Sequence, residues 1–89
     1  MSLVNEEAFL DLANGTGKEV HHHEPRTLLY VLTKDPARDR TYVWVERYRG
    51  EESLRAHCEA PYVRDALSQL PDLLAEPPVL VRLPQVVPL

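Results

Sequence analysis

Five side chains carry most of the chemistry this sequence can offer: His57, Glu46, Tyr30, Trp44 and Tyr48. His57 sits beside Leu54 and Cys58 on the apolar face of a helical stretch, so its ring is expected between helix and sheet. An imidazole, with an unperturbed pKa of about 6.5, suits proton transfer at neutral pH. Tyr30, Trp44, Glu46 and Tyr48 fall on adjacent predicted strands and would line one pocket, since aromatic walls with few polar groups fit a planar phenolic molecule. The competing reading is structural. A core histidine would be satisfied by Glu46 or a backbone carbonyl, and the aromatics would fill a core or a subunit interface.

Other reactive residue types give less. His21-His22-His23 invites a metal, but neighbours on a helix point about 100° apart, so three in a row cannot converge on one ion. Histidines at a helix C-terminus are explained by the dipole, and His23 shares a face with Glu19; no metal site is expected. Gly15-Thr16-Gly17-Lys18 echoes a phosphate loop without the strand that should precede it. Cys58 is the only cysteine, which excludes an internal disulfide and a tetrahedral cysteine site; it is expected as a buried apolar thiol.

The elements that must position these groups follow from periodicity. Residues 5–23 predict a helix with Asn5 as N-cap, Glu6 and Glu7 in its first turn, and Phe9, Leu12, Ala13, Thr16 and Val20 on one face. Gly15 and Gly17 inside it are expected to serve close packing against a sheet. Residues 27–33 and 41–48, rich in β-branched and aromatic types, predict a hairpin around the polar turn 35–40. Alternation sets Tyr42, Trp44, Glu46 and Tyr48 on one face and Val43, Val45 and Arg47 on the other. Both faces are partly apolar, so helices are expected on one and a second subunit or a ligand on the other.

Residues 51–70 predict a helix interrupted and restarted at Ala60-Pro61, with Val63, Ala66, Leu67 and Leu70 along its stripe and Pro71 as its stop. Val79 to Leu83 predict a last strand. Pro84 and Pro88 restrict residues 84–89 to an extended tail.

A chain of 89 residues, 44% hydrophobic and 27% charged, is one globular domain, 1–89. At this length only about two thirds of the unfolded surface can be buried, so a homodimer is the expected supplement to stability. A net charge of -4 with scattered cations argues against nucleic acid. No apolar run approaches the roughly 20 residues that span a bilayer, and acidic Glu6 and Glu7 stand where a signal peptide is basic, so the expected compartment is the cytoplasm.

The order helix, hairpin, helix, strand, with Glu24-Pro25, Leu29-Tyr30, Val45-Glu46-Arg47-Tyr48, Ala56-His57, Pro61 and Leu70-Pro71-Asp72-Leu73-Leu74-Ala75-Glu76-Pro77, resembles the antibiotic biosynthesis monooxygenase family. The resemblance covers roughly residues 5–83. It implies an α+β, ferredoxin-like fold pairing as a dimeric α+β barrel, here truncated to α-β-β-α-β, with helices on one face of an antiparallel sheet. It also implies oxidation of a small aromatic, quinol-type or polyketide-like molecule by molecular oxygen without metal, flavin or other cofactor, His57 acting as base or orienting donor. The alternatives are a noncatalytic dimerising module and, from related dimeric barrels, an isomerase or a haem-degrading enzyme.

Two departures from the family pattern matter. Tyr62 stands in place of a histidine, so a second polar pocket group is expected to be lost. The family's first strand, central in the sheet, has only Met1-Ser2-Leu3-Val4 in its place. Either the C-terminal strand or a strand of a second subunit is expected to pair with the hairpin there, or the missing strand precedes Met1.

Overall fold

Asn5 starts the first helix as expected: its side-chain oxygen accepts the Ala8 N–H at 3.1 Å, satisfying one of the donors a helix leaves free at its start. In the computed structural model, which describes residues 1–84, this helix is α1 (Glu6–His23), followed by β1 (Thr27–Lys34), β2 (Tyr42–Tyr48), α2 (Glu51–Glu59) and α3 (Pro61–Leu73). Phe9, Ala13, Thr16 and Val20 are the buried stripe of α1, and Leu12 packs partly buried beside it.

Gly15 and Gly17 do not serve close packing. A Cβ at either position would meet nothing within 4 Å, and neither glycine has positive φ. The helix therefore loses backbone entropy there with no compensating contact, and Gly15→Ala and Gly17→Ala are each expected to stabilise by about 1 kcal/mol. Urea or thermal unfolding of the double variant checks this.

β1 and β2 form the antiparallel hairpin, with Tyr30 opposite Glu46, Leu32 opposite Trp44 and Lys34 opposite Tyr42. Arg40 takes the left-handed conformation in the turn, φ 54°. Tyr30, Leu32, Tyr42, Trp44 and Tyr48 share the face beneath the helices, where Leu3, Phe9, Ala13, Tyr42, Leu70 and Leu74 form the core. Leu29, Val31, Val43 and Val45 lie on the opposite face, 40 to 51% exposed.

Residues 1–4 lie at the mouth of the slot that the family's first strand would take. Ser2 bridges Thr41 and Leu3 bridges Leu74, both antiparallel. Leu3 N–H donates to the Arg40 carbonyl (2.9 Å), Val4 N–H to Leu73 (3.0 Å) and Ala75 N–H to Ser2 (2.8 Å). The order across the sheet is thus β1, β2, the N-terminal segment, then the segment at Leu74, which is the ferredoxin-like arrangement with residues 1–4 in the place of its first strand.

Four expectations for the C-terminal half of the chain are corrected. Residues 79–83 form no strand, because residues 1–4 offer an edge only as far as Ala75; Val79, Leu80, Val81 and Leu83 are 67 to 88% exposed. The expected tail from residue 85 lies outside the described residues. Pro71 does not stop α3: it removes one ladder bond in the last turn, and the Leu74 N–H to Leu70 bond (3.1 Å) closes the helix three residues later. The break at Ala60-Pro61 stands as expected, Ala60 being extended and Pro61 taking the first helical position. Within α2 and α3, Ser53, His57, Val63, Ala66 and Leu70 are buried, whereas Leu67 and Cys58 are exposed, so the thiol is not a core group.

Candidate active site

α2 projects His57 down onto the sheet. The ring is 4% exposed and packs against Tyr30 and Tyr48, with centroids 5.3 and 5.2 Å away. Its Nδ1 lies 2.8 Å from Glu24 Oε1, and Nε2 lies 3.6 Å from Glu46 Oε1. Tyr30 is also 5.2 Å from Trp44, whose other face meets Phe9 edge-on at 5.9 Å. The five residues singled out from the sequence thus come together on one side of the hairpin.

Glu24 was missed. It caps α1 at the C-terminal end, where its N–H bonds the Val20 carbonyl at 2.9 Å. Its carboxylate, side chain 10% exposed, accepts from the Thr27 hydroxyl (2.7 Å), from the Tyr62 hydroxyl and from His57. Burial opposes its charge, but hydrogen bonds from Tyr62, Thr27 and His57 outweigh that and hold the carboxyl below the usual carboxylate range. An ionised carboxylate can only accept, so the proton of this hydrogen bond resides on Nδ1. Nε2 is then left to accept a proton when the ring is neutral. Tyr62, expected to be a loss, instead belongs to the cluster through Glu24 and stacks on His23 at 5.9 Å. His23 in turn pairs with Glu19 at 3.2 Å.

Two further features bear on chemistry. The indole N–H of Trp44 is buried and has no acceptor among the described residues. The Glu46 carboxylate accepts from the Tyr48 hydroxyl, so Glu46 links the aromatic wall to the histidine. A cleft of about 230 Å³ opens beside Glu24, lined by His23, Arg26, Thr27, Glu52 and Ser53 among others; His57 is not on its wall.

Every tyrosine holds its phenol above the ordinary value of about 10. Burial dominates for Tyr30, Tyr48 and Tyr62, reinforced by the carboxylates of Glu46 and Glu24, and for Tyr42 the leading cause is its hydrogen bond to Glu6. A raised folded value means the stabilisation is complete below the unfolded value and is lost as pH rises toward the folded one. Tyrosinate absorbance is therefore expected to stay flat past pH ~10 and to rise only with alkaline unfolding.

The comparisons with known proteins agree with this fold. A ferredoxin-like α+β fold with a buried histidine between helix and sheet is the class defined so far. Residues 5–69 match the family model for antibiotic biosynthesis monooxygenase, and the chain belongs to that family. It is similar, at 25% identity and a TM-score of 0.76, to the crystal structure of a candidate antibiotic biosynthesis monooxygenase from Caulobacter crescentus CB15, over 80% of this chain and 67% of that one. It is 31% identical over 71 residues to the uncharacterized protein sll1783 of Synechocystis sp., covering 80% of this chain. The chain spans 48% of that relative's length. No helix among the described residues is long and apolar enough to cross a membrane.

Proposed function

We propose that this chain is the subunit of a homodimeric, cytoplasmic, cofactor-independent monooxygenase acting on a small aromatic, quinol-type or polyketide-like molecule. The observation that carries this reading is a buried histidine held by an ionised carboxylate against the aromatic rings of the sheet, one of which offers a buried indole donor with no acceptor among the described residues. Glu24 fixes Nδ1–H, and Nε2 takes the phenolic proton. The resulting phenolate passes an electron to oxygen in a site whose rings keep water out, and the Trp44 N–H serves a substrate oxygen. The apolar face made by Leu29, Val31, Val43 and Val45 is the surface expected to meet the second subunit.

The second reading, a noncatalytic dimerising module, is favoured by the close filling around His57 and by its absence from the cleft wall. Oxygen uptake with a panel of dihydroxyaromatics separates the two. The enzyme reading expects uptake that falls about 100-fold or more in His57→Ala with circular dichroism and sedimentation unchanged. His57→Gln, which keeps a donor for Glu24, guards against simple unfolding. A folded dimer that consumes no oxygen with any member of the panel leaves the noncatalytic module.

A further inference from the structure

Among the described residues, nothing pairs with the edge of β2 away from β1 beyond its first residue. Met1 and Tyr42 exchange two backbone bonds of 2.7 Å, which fixes the direction of the Tyr42 backbone groups. Alternate residues of a strand send these groups the same way. Trp44 and Glu46 therefore aim N–H and C=O at that edge, while Val43 and Val45 pair with Thr33 and Val31 of β1. Among the described residues no backbone group pairs with Trp44 or Glu46 there.

The same molecule carries a strand-forming segment that pairs with nothing among the described residues. Residues 79–83, Val-Leu-Val-Arg-Leu, are exposed and lie between Pro77-Pro78 and Pro84, whose missing N–H groups limit any ladder to these five positions. Their own chain does not fold them back onto β2. The pairing at Leu74 and Ala75 lies beyond residues 1–4, two strand spacings from β2 or about 9–10 Å, and the proline pair stiffens the exit.

The two features fit each other. Alternation sets Val79, Val81 and Leu83 on one side and Leu80 and Arg82 on the other. With Arg82 opposite Glu46, the cation meets a carboxylate, Leu80 falls beside Trp44 or Tyr48 according to strand direction, and the three remaining apolar residues extend the open face of Leu29, Val31, Val43 and Val45. We propose that residues 79–83 of a second copy add as a strand to the Trp44–Glu46 edge of β2, with Arg82 opposite Glu46. Main-chain bonds then supply affinity and the alternate side chains supply register. The exchange rests on the homodimer reading only in needing a second copy, since it uses an edge and not the face.

The test is a disulfide. Opposed residues on neighbouring strands bring Cβ atoms to about 4.5–5.5 Å, so Glu46→Cys with Arg82→Cys, in a Cys58→Ser background, should oxidise to a covalent dimer. In the wild-type dimer, hydrogen exchange at the Trp44 and Glu46 amides should be at least about tenfold slower than in the Val81→Pro/Arg82→Pro double variant, which removes the N–H that faces β2 in either strand direction. A disulfide closed within one chain overturns the exchange, as does protection that persists in the Val81→Pro/Arg82→Pro double variant. Fast exchange at Trp44 and Glu46 in a protein that sediments as a dimer overturns the exchange alone, while a monomeric wild type overturns the homodimer as well.

Discussion

Glu24→Ala is expected to cost about 3 kcal/mol or more, because it strips the acceptor from three donors in the interior at once. The hydroxyls of Thr27 and Tyr62 and the Nδ1–H of His57 all end on this carboxylate. Glu24→Gln keeps the shape but turns an amide NH₂ toward groups that themselves donate, so an intermediate loss is expected. The two also differ from wild type in pH dependence. The folded carboxyl titrates below its unfolded value, so its contribution is complete above about pH 4.3 and vanishes as pH falls through the lower folded value. The stability gap between wild type and Glu24→Gln should therefore close in acid, which urea titrations at a series of pH values would read. A gap that stays constant with pH would show that Glu24 contributes by packing alone.

Phe9→Ala should come closest to unfolding the domain. Phe9 is fully buried and touches the rings of Tyr42 and Trp44 at 5.7 and 5.9 Å, tying α1 to the hairpin. Removing it leaves a cavity costing about 3–5 kcal/mol. A chain of this length has a total stability of about 4–13 kcal/mol. Chemical unfolding should therefore show a large fall in midpoint, and Phe9→Leu should recover most of it. Because Trp44 rests on Phe9, its fluorescence should shift toward that of exposed indole in the alanine variant before global unfolding.

How much of this could be read in advance differs from residue to residue. Phe9, Val20, Val63 and Leu70 were legible because one amphipathic stripe has one way to be buried. The face shared by Tyr42, Trp44, Glu46 and Tyr48 was legible because a strand alternates with period two. Glu24 was not, since its partners come from 3, 33 and 38 residues further along. One signal did point to it: an acid at the end of a helix opposes the dipole, which calls for some other partner. Cys58 was misread because an apolar thiol next to a buried histidine looks like core, although one step along a helix turns a side chain by about 100°. Residues 79–83 have the composition of a strand, but composition does not reveal whether an edge is present to receive it.

The outward placement of that thiol has a practical consequence. The chain's single cysteine stands on solvent immediately after the most enclosed imidazole. A maleimide dye attached to it would be carried by the backbone of α2 without entering the interior. Its emission would then report, from outside, on whether that short helix stays seated when a small molecule arrives beneath it.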